Sequence, residues 1–310
     1  MARLLDDLVE PFERADPAAV TELLQDAWGV DIHGLTLLDT ERDDTFRVDH
    51  AEGVLLAKVA HPNDSAALLD LQDRALETVA MNDPELPVPR VVPAPSGAPV
   101  HLGERVVRVL TWIPGTPTSR ARLPLRAAGE MLGRLGRALA PLTHPAADRV
   151  LPWDLRHVPE LAEYSDDPAV VATIERFATE IAPVLERLPR QLVHSDFHPG
   201  NVLADDNDVI TGVIDFGDLV STPRVCDVGV ALGYLVPDEG PVDALHTEFL
   251  AGFESVAPLT DEERALLPGL VVGRQLQRIV INDELGRRTG ERADPERLRR
   301  SLDRALDAWK

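Results

Sequence analysis

Between Leu192 and Asp218 the chain reads LVHSDFHPGNVLADDNDVITGVIDFGD, and the polar groups able to do chemistry fall at close, uneven spacing. His194 and Asp196 stand two apart, Asn201 follows five residues after Asp196, and Asp215, Gly217 and Asp218 close an apolar run. A carboxylate beside a hydroxyl can orient it and take its proton. An amide oxygen and a second carboxylate are hard ligands of the kind Mg²⁺ takes together with phosphate oxygens and water. One base and two such ligands on neighbouring loops suit transfer of a phosphoryl group, where catalysis is mostly positioning and charge neutralisation. Asp196 is then the candidate base, and Asn201 and Asp215 the candidate Mg²⁺ ligands. Gly217 lets the chain turn away after presenting Asp215, and His194 is placed to brace the loop.

These loops need a scaffold. Asp16-Pro17 sets an N-cap acid before a first-turn proline, Leu23, Leu24 and Ala27 form an apolar stripe, and Gly29 stops the helix. Strand-like runs follow at Leu35–Leu38, Thr45–Val48 and Val54–Val59, then a helical pattern from Ser65 to Met81. Pro84 to Pro99 is too proline-rich for helix. Glu104 to Trp112 reads as a strand ending at the breaker pair Pro114-Gly115, the natural lobe boundary. Beyond it, Leu125–Leu142 and Pro168–Leu185 read as helices, short strands lie between Gln191 and Ile214, and four helical segments run from about Val225. Arg287 to Arg300 reads as a solvated helix face. The fold class is α+β, with a small β-rich lobe over residues 1–113 and a larger helical lobe over 114–310.

His-x-Asp-x-x-x-x-Asn followed by Asp-Phe-Gly after a short hairpin matches the kinase signature. The surrounding HSDFHPGNVL and VIDFGD resemble the aminoglycoside phosphotransferase and choline kinase-like branch of the protein-kinase-like fold. CDVGVALGYL and WDLRHVPEL resemble the hydroxylysine kinase-like phosphotransferases within it. The resemblance implies a two-lobed kinase that moves the γ-phosphoryl group of ATP or GTP, with Mg²⁺, to a small-molecule hydroxyl. It implies a strand lysine for the phosphates, which Lys58 in LLAKV supplies, and a helix acid to hold it, for which Glu77 has the reach and Asp70 and Asp73 are alternatives. It implies a hinge that binds the base through backbone groups, with Thr111 and Ile113 as candidates. Asp227 matches the position that braces the catalytic loop. The loop from Asp39 to Thr45 departs from the kinase pattern in having no glycine, so phosphate contacts there fall to backbone N–H groups, Thr45 or Arg42. For a cationic acceptor, the candidates are Asp218 and Asp154 for charge and Trp153 for a cation–π face. Arg274 is a candidate for a substrate carboxylate, with an internal salt bridge as the alternative reading. His198 reads as a loop packer. Hydroxylysine or a similar amino alcohol leads as acceptor, with choline, ethanolamine, homoserine and aminoglycosides open. The rival from another class is a catalytically silent, nucleotide-sensing domain, which predicts loss of Lys58, Asp196, Asn201 or Asp215; all four are present.

Composition bounds the rest. In 310 residues, 44% hydrophobic content is enough for a core, and the formal charge of −22 repels nucleic acid and anionic lipid. A cationic small molecule suits such a surface better. Lys58 and Lys310 are the only lysines beside a large excess of arginine, so an internal lysine retained here points to its chemistry. The single cysteine, Cys226, permits no intrachain disulfide, which fits a reducing cytoplasm, and Met1 to Val9 lacks the apolar run of a signal peptide. The protein is expected to be a monomer or a homodimer.

Overall fold

The computed structural model describes residues 4–5, 12–40, 42–240, 242–290 and 293–310. Most of the Met1–Val9 segment, Glu41 of the glycine-free loop, and Glu291 and Arg292 of the charged stretch lie outside the described residues. The chain divides into two compact units, Pro11–Pro114 and Gly115–Lys310, and the N-terminal segment belongs to the second. Its Leu5 is fully buried there and donates its backbone N–H to the Tyr164 hydroxyl at 3.2 Å.

In the first unit, α1 (Pro17–Trp28) starts where the Asp16 carboxylate accepts the Ala18 N–H and ends at left-handed Gly29. Strands β1 (Ile32–Leu37), β2 (Asp44–His50), β3 (Gly53–Val59), β4 (Val100–Leu102) and β5 (Arg105–Thr111) form one antiparallel sheet in the order β1-β2-β3-β5-β4. Side chains alternate across a pleat. Phe46, Val48, Ala57, Val59, Val107 and Val109 therefore share one face, which packs with Val20 and Leu24 of α1. Lys58 stands directly across from Thr45 and Arg108, so these three share the opposite face. Helix α2 (Ala66–Asn82), capped by Ser65, reaches that face through Gln72 and Asp73, which both bind Arg108.

The second unit starts with β6 (Thr116–Pro117) and α3 (Leu125–Leu139), followed by a 3₁₀ segment, Leu155–Tyr164, capped by Asp154. The helical run expected from Pro168 to Leu185 is two helices, α4 (Pro168–Glu180) and α5 (Ala182–Leu185). Pro183 lacks an N–H and crowds the carbonyl four residues back, so one helix cannot continue through it. Strands β7 (Arg190–Val193) and β10 (Val220–Pro223) pair, as do β8 (Val202–Ala204) with β6 and with β9 (Ile210–Val213). Helices α6 (Arg224–Tyr234), α7 (Val242–Val256), α8 (Asp261–Thr289) and α9 (Pro295–Ala308) complete the unit. A reciprocal capping box between Thr260 and Glu263 starts α8, and left-handed Gly290 ends it. Helices α3 and α7 meet backbone to backbone: a Cβ on Gly129 would strike the Phe249 carbonyl, and one on Gly252 the Arg126 carbonyl. Among the described residues no helix is long and apolar enough to cross a membrane.

Candidate active site

The loop after β7 is held from beneath. Asp227, in the first turn of α6, is buried and accepts the N–H groups of His194 (3.3 Å) and Ser195 (2.8 Å). Those two bonds hold Ser195 in the left-handed region at φ 67°. Burial pushes the Asp227 carboxyl above its ordinary range, against the pull of His194 and of the two N–H groups. His194 is wholly buried and joins the two catalytic loops: its Nδ1 accepts the Asp196 N–H (3.3 Å), so the proton sits on Nε2, which donates to the Ile214 carbonyl (3.1 Å). The Ile214 N–H returns to the Asn201 carbonyl at 3.0 Å. Asp215 follows immediately, exposed, at φ 66°, with its Oδ1 accepting the Gly217 N–H (3.2 Å). Arg149 fixes the turn beyond it by donating to the Gly217 (2.6 Å) and Leu219 (3.1 Å) carbonyls.

Asp196 has a partner on each oxygen. Arg274 of α8 donates to Oδ1 at 3.0 Å, and the Asn201 side-chain nitrogen donates to Oδ2 and to the Asp196 carbonyl, both at 2.9 Å. His198 Nδ1 accepts the Gly200 N–H, which places its proton on Nε2, 3.4 Å from Asp196 Oδ2. Burial alone would raise the Asp196 carboxyl; the hydrogen bond from His198, the charge of Arg274 and the two neighbouring imidazoles overcome it and bring it down to about 2. Because the Asn201 amide spends its protons on Asp196, its oxygen is the atom left for a metal. Among the described residues no three His, Cys, Asp or Glu side chains are grouped to hold a metal alone. One carboxylate (Asp215) and one amide oxygen (Asn201) therefore fit a Mg²⁺ ion whose remaining ligands are phosphate oxygens and water.

Asp218 is half-buried beside these groups. Burial first, then the nearby Asp196 and Asp215 carboxylates, push its carboxyl up to about 7, with Arg149 and Arg274 pulling the other way. Three of the expected acceptor contacts are corrected. Asp154 is buried, and its oxygens are taken by Thr222, the Arg156 N–H and the Arg156 guanidinium, so it caps the 3₁₀ segment and offers no charge to a ligand. The Trp153 ring already carries the Arg274 guanidinium at 4.6 Å. Arg274 is fully buried, and its charge is answered by Asp196, so the internal salt bridge is what forms.

In the first unit Lys58 pairs with Asp43 at 2.9 Å. Glu77 is exposed on α2, and the helix acid on the lysine's face is Asp73, which binds Arg108 at 2.8 Å; the Glu77 expectation is corrected accordingly. Helical spacing admitted both acids, and the roll of α2 on the sheet chose between them. Thr111 is corrected as a free hinge donor: its N–H goes to the Arg90 carbonyl (2.8 Å), and its hydroxyl accepts the Arg90 N–H (2.9 Å). Ile113 lies beyond the end of β5, outside the ladder. Arg42 is spent on Asp64, whereas the buried Thr45 hydroxyl on the lysine's face has no hydrogen-bond partner among the described residues.

Sequence reading missed Asp43, Arg108, Arg149 and Tyr234, and took His198 only for packing. His198 sits two residues from Asp196 inside the motif, which was a usable signal. Arg149 and Tyr234 reach the catalytic loops from distant segments, Asp43 and Arg108 pair with Lys58 and Asp73 within the first unit, and none of them carries a local mark.

The fold and the two stapled loops define a phosphotransferase of the protein-kinase-like class. Residues 35–266 match the model of the APH phosphotransferase enzyme family, and the chain belongs to that family. Hydroxylysine kinase of Danio rerio is 26% identical over 294 residues, spanning 84% of this chain and 82% of that protein. Two solved structures share the fold: an amicoumacin kinase in complex with AMP-PNP, Ca²⁺ and Ami (TM-score 0.74, 18% identity, 95% of this chain and 94% of that one) and a microcompartment-associated aminopropanol kinase (TM-score 0.71, 19% identity, 93% and 94%). The protein is a small-molecule kinase acting on an alcohol group.

Proposed function

We propose that this chain transfers the γ-phosphoryl group of ATP or GTP to the hydroxyl of an amino alcohol, with hydroxylysine the leading acceptor, and that it works with Mg²⁺ in the cytoplasm. The observation that carries the reading is Asp196, held with Asn201 in one stapled loop next to Asp215 and Asp218. The acceptor class rests on the relative named a hydroxylysine kinase, which aligns with most of this chain.

The chemistry follows from the residues. Asp196 orients the acceptor hydroxyl and receives its proton as the oxygen attacks the γ-phosphorus and the bond to the nucleoside diphosphate breaks. Arg274 and Asn201 hold its carboxylate in one orientation. Asn201 and Asp215 would hold Mg²⁺, which supplies charge neutralisation on the phosphate oxygens. Lys58 exchanges Asp43 for the nucleotide's phosphates. The unit Pro11–Pro114 acts as the nucleotide-binding lobe and Gly115–Lys310 as the catalytic and acceptor lobe, with Ile113 as the remaining hinge candidate for the base. Asp218 meets the acceptor's ammonium, and a neighbouring cation draws a lifted carboxyl back toward its ionised form.

The test is a coupled nucleotide-consumption screen over amino alcohols with both ATP and GTP, run beside Asp196→Asn. We expect turnover on hydroxylysine and a loss of at least ~10²-fold in the variant, the scale of a missing general base. Unchanged turnover in Asp196→Asn would reject that residue as the base, and silence on every amino alcohol would reject the acceptor class.

A further inference from the structure

In a chain of net charge −22, one corner of the second unit runs the other way. Arg278 lies one helical turn beyond Arg274 on α8, and the two therefore share a face. It is half-buried, its one hydrogen bond among the described residues goes from Nη1 to Gln275 Oε1 (3.1 Å), and none of the described carboxylates pairs with it. Its guanidinium lies 4.9 Å from the centre of the Tyr234 ring. Burial opposes its charge, and so do three neighbouring guanidiniums, those of Arg274, Arg297 and Arg120. Arg120 and Arg297 share the single carboxylate of Asp238, and Arg274 is answered by Asp196. Four cations thus meet two carboxylates, a surplus of two, and Arg278 is the one of the four that none of the described carboxylates pairs with.

Tyr234 ties this surplus charge to the reacting centre. Its ring stacks on His198 with centroids 4.5 Å apart and planes 27° apart, and its hydroxyl accepts from Arg274 Nη2 at 3.3 Å. His198 and Arg274 are the two groups that flank the oxygens of Asp196. Arg278 therefore contacts the same Tyr234 ring as His198 and Arg274, the two groups beside the base, and shares the Arg274 face of α8. An unpaired, partly desolvated guanidinium is a planar fork that takes a carboxylate on two N–H groups. We infer that Arg278 binds the carboxylate of the acceptor, and that the acceptor is accordingly a hydroxylated amino acid rather than a simple amino alcohol. The inference rests on the amino-alcohol kinase reading and narrows it. It reassigns to Arg278 the anion-binding role first expected of Arg274, whose own charge is already neutralised.

The experiment compares hydroxylysine with the diamino alcohol left when its carboxyl group is removed, under steady-state kinetics with wild type, Arg278→Met and Arg278→Lys. We expect wild type to favour hydroxylysine. Arg278→Met should raise KM for hydroxylysine about tenfold or more with kcat nearly unchanged, the signature of lost ground-state binding. It should leave KM for the diamino alcohol where it was. Arg278→Lys, which keeps charge without the fork, should recover part of the loss. A thermal melt of each variant reports its folding independently of turnover. If wild type turns over both compounds and Arg278→Met weakens both alike, or neither, the carboxylate assignment is overturned while the kinase reading stands. Should Arg278→Met fail to fold, a folded Arg278→Lys with a reduced preference for hydroxylysine supports the assignment, and one with the full wild-type preference overturns it. If wild type phosphorylates neither compound, the acceptor reading itself has failed and takes this inference with it.

Discussion

Asp44 shows how much a single carboxylate can organise. It is fully buried at the start of β2, where it receives Arg14 (2.9 Å), the Ala15 N–H (2.8 Å) and Arg105 (2.8 Å). Burial favours the neutral acid, but the N–H and the two guanidiniums more than offset it, so the carboxyl titrates below its ordinary 3.8. A depressed carboxyl contributes stability that is present above the unfolded value and lost as pH falls through the folded one. Asp44→Asn leaves two cations unanswered and should cost about 2 kcal/mol near neutral pH, discounted because Arg14 is half exposed. Paired denaturant melts should show the gap between variant and wild type closing as pH drops below about 4. A gap independent of pH would mean that shape, not charge, is what Asp44 supplies. Asp154 and Asp227 illustrate the same economy in the second unit. Each has its oxygens committed to backbone and side-chain donors, and so neither is available to a ligand.

At the scale of elements, the catalytic loops depend on what α6, α7 and α8 allow. Gly233 on α6 makes room for the stem of Arg274, since a Cβ there would come within 2.8 Å of the arginine's Cβ and Cγ. Without that gap α8 could not bring a guanidinium to Asp196. The crossing of α3 and α7 is tighter still, because Gly129 and Gly252 place each helix against the other's carbonyls. Gly252→Ala should push the helices apart and cost about 2 kcal/mol or more, toward the upper end of overpacking penalties, with a lowered melting temperature as the readout. Wild-type stability in that variant would show that the two helices can slide to accommodate a methyl group. Arg108 plays the organising role in the sheet of the first unit. It binds Gln72 and Asp73 and so ties α2 to β5, beside the pair of Lys58 with Asp43.

For the whole molecule, the excess of 53 acidic over 31 basic residues is a self-repulsion that every folded contact must overcome. Much of it is local and exposed, where salt screens within about 10 Å at 0.1 M. Raising NaCl from low to moderate concentration should therefore raise the melting temperature by a few degrees, followed by differential scanning fluorimetry. A steady fall would show that screening of ion pairs such as Arg224–Glu263 outweighs relief of the net charge. The same acidity disfavours nucleic acid and gives the basic corner around Arg278 its contrast.

Asp196, Asn201 and Asp215 could be singled out as candidates from the chain alone because loop chemistry of this kind is written in short spacing. The staple through His194 spans 20 residues to Ile214, whereas the turn that presents Asp215 is local, so residue order sufficed for it. Cap signals such as Asp16-Pro17 and Gly29 marked α1 correctly for the same reason. Partners were another matter. Arg274 stands 78 residues from Asp196, and Tyr234 and Arg278 enter through the rotation of α6 and α8, a degree of freedom that spacing along one helix leaves open. The choice between Asp73 and Glu77 was open in the same way. Which groups can do the chemistry is a property of the loop's own residues; which charges they face is decided by how the helices pack, and only folding fixes that.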